Sequence, residues 1–169
     1  MKPNKVFIIL FFVVILNYGQ PTTIIQIFDS NLFLLDNGDT VKMAGIDIPI
    51  TNHYNKELSY IANEVINYCE SNLLNKPLTI EYVRNNVTNE GYKLVHIKRE
   101  YPLESKDFNK LFLECGYGKF NGKINAQYYF EYKNAEYDAF NRAESFNEKF
   151  NYGFAFDNEN IFFSMSYSF

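Results

Sequence analysis

The sequence predicts an α+β fold, mainly β: a small closed barrel of five strands with three helices packed on it. Two observations carry this. Short β-branched and apolar runs, punctuated by turn residues, occupy 22–46 and 78–97. Between and after them the hydrophobic period switches to three-and-four, the spacing of a helix with one buried stripe. A chain of 169 residues, 47% of them hydrophobic, can build one domain with a full core and has no room for a second of ordinary size.

The elements follow in order. Lys2 and Lys5 precede an unbroken apolar run from Val6 to Leu16. That run is too short to cross a bilayer of ~30 Å as a helix but suits a secretory signal, so 1–19 is read as a signal peptide cut near Gly19. The alternative is a buried N-terminal strand. No cysteine follows the run to accept a lipid. An exported protein, periplasmic, secreted or held at the cell envelope, is expected.

Thr22–Phe28 (TTIIQIF) and Leu32–Leu35 read as strands. Asp36-Asn37-Gly38-Asp39 is a strong hairpin signal, because Asn-Gly accepts the positive φ angles of a tight turn, and Thr40–Ile46 returns as the third strand. Leu58, Ile61, Ala62, Val65, Ile66, Cys69 and Leu73 make one helical stripe that Pro77 terminates. Leu78–Val83 and Lys93–Ile97 form a second hairpin about the polar turn 85–91, which carries the glycosylation sequon Asn86-Val87-Thr88. Phe108, Leu111, Phe112 and Cys115 mark a short helix ended by Gly116, and a last helix runs from Tyr132 to Phe150 with Ala135, Ala139, Ala143, Phe146 and Phe150 inward. Three strands, a helix, two strands and two helices make an OB-like arrangement.

The net charge is −4, and loss of Lys2 and Lys5 makes the mature chain more acidic still. A protein that grips nucleic acid through phosphates usually has a basic face, so this balance weighs against broad polyanion binding while leaving room for a local patch. Cys69 and Cys115 read as small core residues on separate helices, with one disulfide as the alternative in an oxidising compartment. His53 and His96 lie far apart, at no zinc-ligand spacing, and read as surface or rim side chains.

Four features resemble the thermonuclease (staphylococcal nuclease-like) family. They are Val41-Lys42-Met43-Ala44-Gly45-Ile46-Asp47-Ile48-Pro49, the helix after it, the Gly91 hairpin, and Phe108-Asn109-Lys110-Leu111-Phe112-Leu113-Glu114-Cys115-Gly116-Tyr117. The resemblance covers Ile24 to about Phe154 and implies a five-stranded OB-fold barrel with three helices over 22–154. It also implies a calcium-assisted attack of water on a phosphodiester. In that chemistry two acids hold the metal, a Glu activates water and two Arg side chains face the phosphate.

Matching these roles to positions removes most of them. Family members place the two acids on either side of a complete hairpin. Asp39 stands only 8 residues before Asp47, whereas Asp29 stands 18 before it. Asp29-Ser30-Asn31-Leu32 therefore occupies the metal motif, and Asn37-Gly38-Asp39-Thr40 is the turn beyond it. Asn31 replaces the first acidic ligand and Asp47 keeps the second. Lys42 replaces the first Arg, Tyr92 stands at the second with Lys93 beside it, and Ile50 replaces the water-activating Glu. Asp47 is equally accounted for as a turn-shaping residue and Lys42 as a solvated strand residue. Tyr117, Phe120, Tyr128, Tyr129 and Phe130 are expected to cover the core rather than stack on bases.

The expectation is a binding module that has lost hydrolytic chemistry. The alternative is a weak calcium-dependent nuclease using Asp47, Asn31, Lys42 and Lys93. No cofactor is expected, unless calcium in a still-functional site. An oligonucleotide, a peptide, or a protein or envelope partner is expected, and a structural envelope protein engaged through its tail is a third reading. The extension 155–169 ends with Phe163, Met165, Tyr167 and Phe169 alternating with serines. It reads as an added strand lying on the domain, or as an aromatic face that docks on a partner or envelope surface.

Overall fold

The computed structural model describes residues 21–150, 154–157 and 160–163. The expected signal segment and the alternating stretch beyond Phe163 lie outside these residues. The main sheet has six strands, described here with three helices. Strands β1 (Ile24–Asp29), β2 (Leu32–Leu35) and β3 (Thr40–Met43) form an antiparallel meander. A short β4 (Ile46–Asp47) follows, then α1 (Lys56–Asn72), β5 (Thr79–Val87), β6 (Lys93–Glu100), β7 (Ser105–Asp107) and α2 (Phe108–Glu114). The chain continues as β8 (Lys119–Phe120), a 3-10 turn at Ala126–Tyr128, α3 (Tyr129–Phe150), and a hairpin of β9 (Phe154–Asp157) and β10 (Asn160–Phe163).

The sheet runs β1-β2-β3-β6-β5, with β7 on the far part of β6 and β3 parallel to β6. A closed barrel was expected, and the described sheet is open. Its end strands β1 and β5 share no ladder and meet only through the isolated bridge Thr22–Leu78, just before each strand begins. Register shifts within the β1–β2 pair curl that edge without bringing it into a ladder with β5 among the described residues. Three further differences concern the ladders. The turn expected at 85–91 begins later, because β5 runs on to Val87. The two-residue strands β4 and β8 pair with each other. β7 pairs with the end of β6. Strands this short give no periodic signal.

Local chemistry sets the helix ends. Asn55 caps α1, its side chain accepting from Glu57 N at 2.8 Å and Leu58 N at 3.4 Å. Asp107 caps α2 through Lys110 N at 3.1 Å, and Gly116 leaves it at φ 71°. The Asn37-Gly38 turn forms as read, with Gly38 at φ 86°. Leu58, Ile61, Ala62, Val65 and Cys69 bury the predicted stripe of α1; in α3 the predicted Ala135 and Ala139 are buried together with Tyr132, Ala143 is half-buried, and the side chains of Phe146 and Phe150 lie outside those described. Both cysteines are free thiols; Cys69 is in the core, but Cys115, at the end of α2, is exposed.

Asn109 ties three elements together from a fully buried position. Its oxygen accepts from Ile97 N at 2.9 Å, and its amide donates to Ala44 O and Val95 O, both at 2.9 Å. Replacing it with leucine, which has the same branching but no polar atoms, removes the side-chain partner of Ile97 N and Ala44 O and one of the two bonds to Val95 O. Asn109→Leu is expected to lower stability by about 3 kcal/mol or more, read from urea denaturation.

His96, expected at the rim, is fully buried. It sits on β6 between β5 and β3, and Tyr128 and Tyr132 cover it at ring distances of 4.1 and 5.6 Å. Tyr132 donates its hydroxyl to Asp107 (2.7 and 2.9 Å), so the 2.8 Å contact makes His96 Nδ1 the donor to Tyr132 Oη. His96 Nε2 then has no partner. Burial holds its pKa down to about 4, with the nearby Glu81 carboxylate raising it and the Lys98 ammonium lowering it. The folded state thus favours the neutral ring. That contribution is complete above the ordinary value of 6.5 and is lost as pH falls toward 4, amounting to about 3 kcal/mol. Asp107, raised by its own burial, works in the opposite sense, so the test must follow the ring itself. An NMR titration of the His96 ring should show a midpoint well below 6; one at 6.5 or above would contradict a dry pocket.

Candidate functional site

A cleft opens where the β1–β2 turn, β3 and β4 meet, and it consists of two adjoining hollows of about 430 and 420 Å³. Asn31, Lys42 and Asp47 line both. One hollow is walled by Leu32, Ile48, Pro49, Ile50 and Leu58, with Asp29 and His53 also on it. The other is polar, with Thr88, Glu90, Asn121 and Lys123 on it.

Hydrogen bonds to backbone fix this geometry. At the end of β1, Asp29 Oδ1 accepts from Ser30 N (2.7 Å) and Thr51 N (3.1 Å), while the buried Ser30 hydroxyl donates to Pro49 O at 2.5 Å. These bonds pin the β1–β2 turn to the segment after β4. Asn31 spans the bend between β3 and β4: Oδ1 accepts from Met43 N at 2.7 Å, and Nδ2 donates to Ile46 O at 3.2 Å. The bend itself needs Gly45 at φ 79°, where a Cβ would come within 2.3 Å of the Ile124 side chain. Gly118 lets β8 approach β4, since a Cβ there would lie 2.6 Å from Asp47 O.

Asp47 is exposed, and its Oδ1 accepts from Asn121 Nδ2 at 2.7 Å. Asn121 is held in turn, donating its N–H to Gly45 O (3.1 Å) and accepting Lys123 N (2.9 Å). Lys42 lies with Nζ 5.2 Å from the centre of the Tyr92 ring. Among the described residues no carboxylate pairs with the Lys42 ammonium, and Asp47 carries no ion pair. Glu90 accepts from the Thr88 hydroxyl and its own N–H, which hold its carboxyl below the usual range, helped by the charges of Lys42 and Lys123.

The residues singled out in the sequence thus divide. Asn31, Lys42 and Asp47 come together, and Tyr92 joins them through Lys42. Lys93 does not: it binds Asp39 at 2.7 Å on the sheet surface, where the Tyr82 hydroxyl and Asn37 also bind that carboxylate. The Lys93 and Tyr82 bonds hold Asp39 below the usual carboxylate range. Ile50, half exposed, presents apolar surface to the cleft. Glu90, Asn121 and Lys123 were not singled out in the sequence. Asn121-Gly122 is a second Asn-Gly turn, with Gly122 at φ 73°, and this signal could have drawn attention to them.

Among the described residues no three His, Cys, Asp or Glu side chains converge at metal-binding distance. No family model matches the chain, and no curated protein matches it.

The surface network around Asp39 should be dispensable. Asp39→Ala is expected to cost less than about 1 kcal/mol in thermal or urea unfolding, as exposed ion pairs do, and to leave any property of the cleft unchanged.

Proposed function

We propose that the chain is an exported, thermonuclease-like binding module whose cleft has lost hydrolytic chemistry. The observation that carries this is the wall of the cleft: Ile50 offers hydrocarbon where the resemblance calls for a water-activating carboxylate. The cationic side is depleted as well, because Lys42 is a single ammonium resting on Tyr92 and Lys93 is bound to Asp39. The strand order, the parallel β3–β6 pair and the lone Thr22–Leu78 bridge suit a partly open, OB-like barrel.

Calcium takes roughly six to eight oxygen ligands, with affinity set largely by charged ones. The cleft offers Asp29 and Asp47, each with one oxygen already accepting from nitrogen, Asn31, whose amide is bonded at both ends to backbone, and Glu90 in the second hollow; among the described residues these carboxylates do not converge as a group of three. This donor set does not fit a calcium centre of the family's kind, and no step is routed through a metal.

One observation favours the second reading, a weak calcium-dependent phosphodiesterase: Asp29 and Asp47 line the same hollow. Digestion of DNA and RNA by the full chain, with calcium or with chelator, separates the two. No cleavage above background is expected in either condition. Chelator-sensitive cleavage that disappears in Asp47→Ala would overturn the binding-module reading.

A further inference from the structure

The charges in the cleft are arranged in an unusual way for a site that would hold a polyanion. Lys42 and Asp47 line the same two hollows, yet among the described residues neither forms a salt bridge, and Lys42 feels the charge of Glu90 without pairing with it. Opposite charges that share a cleft attract, and about 1 kcal/mol or more is available on contact even in water-like surroundings. Here the framework holds them apart. Asn121 anchors one oxygen of Asp47, and the Tyr92 ring holds the Lys42 ammonium at 5.2 Å. A ligand that satisfies both must carry both signs.

The rest of the lining extends this. Lys123 adds a second cation to the polar hollow, but Glu90 stands near both ammoniums, and Asp29 adds a carboxylate to the other hollow. A nucleic-acid strand would meet three carboxylates against two ammoniums, an unfavourable balance for phosphate binding. Beyond the charges, Leu32, Ile48, Ile50 and Leu58 form an apolar wall with no polar function of its own. The two hollows fall within the size of small-molecule sites and together exceed the needs of a single amino acid.

Resting on the reading of this cleft as a binding site, we propose that its ligand is a short peptide with free termini and an apolar side chain. The peptide ammonium meets the open oxygen of Asp47, its carboxylate meets Lys42 and Lys123, and the side chain lies against Leu32, Ile48 and Ile50. Asn31 contributes shape rather than charge, because both ends of its amide are engaged with the backbone.

The test is calorimetry on the full chain with the tripeptide Ala-Leu-Ala. Parallel titrations use its N-acetylated form, its C-amidated form, Ala-Ser-Ala and a thymidine trinucleotide. The free peptide is expected to bind one to one. Capping either end, or exchanging leucine for serine, should weaken binding at least tenfold, about 1.4 kcal/mol. In Lys42→Met the penalty for amidation should shrink, and in Lys42→Met/Lys123→Met it should vanish, while that for acetylation persists; in Asp47→Asn the penalty for acetylation should vanish while that for amidation persists. A merely structural role for either residue would not produce such selective losses. Equal binding of capped and free peptides, or no peptide binding, overturns the proposal. Binding of the trinucleotide in place of the peptide also overturns it and leaves the non-hydrolytic binding module standing. Only calcium-dependent cleavage would remove that module.

Discussion

The structure depends most on one buried amide. Asn109 enters the core from the first turn of α2 and bonds to Ala44, Val95 and Ile97, the residues at which β3 ends and β6 passes beside it. Parallel strands joined by a long connection have no hairpin to fix their register. Asn109 supplies part of that constraint, reading both strands at once, and Ala44 N adds its own bond to Val95 O at 2.8 Å. Once the exit of β3 is fixed, the sharp bend at Gly45 follows, and β4 is delivered to the cleft. The position of Asp47 is thus set from the core, with Asn121 as a second hold from outside.

The same logic of buried polar groups serves the other face of β6. From Leu94 to Ile97 this strand is buried on both sides. Val95 and Ile97 join the main core, whereas His96 faces the ring pair Tyr128 and Tyr132. A histidine there is tolerable because Tyr132 and Asp107 take one of its nitrogens into a bonded chain, and because dryness keeps the ring neutral. Asp107 serves twice, since it also caps α2. Lys98 and Glu81 close the edge of this cluster through the Tyr128 hydroxyl. The sheet is therefore fastened to α2 and α3 by polar chains on one side and by hydrocarbon on the other.

Much of this was legible in the sequence, for local reasons. Helix α1 announced itself by its stripe and by Pro77, and the first hairpin by Asn37-Gly38, because each signal lies within a few residues of the element it shapes. Chain spacing also placed Asn31, and not Asp39, in one cleft with Asp47. What stayed hidden depends on distant partners. The burial of His96 requires α3 to fold back over β6. The engagement of Lys93 with Asp39 joins the start of β6 to a turn far away in sequence. Asn121 and Glu90 reach the cleft from loops whose local sequence describes only a turn.

Asn31 shows what an amide does at this position that an acid could not. A carboxylate at this position could still accept from Met43 N, but it could not donate to Ile46 O. The amide does both and so closes the bend that Gly45 opens, tying β3 to β4 at their junction. The position makes both bonds without bringing a charge, and Asp47 is the acid that β4 carries to the cleft. Neutral amides at Asn31, Asn109 and Asn121 hold this region to the backbone without adding charge of their own. Asp47 keeps one oxygen bonded to Asn121, and Lys42 rests on Tyr92, so the frame orients these two charges in one cleft without pairing them with each other.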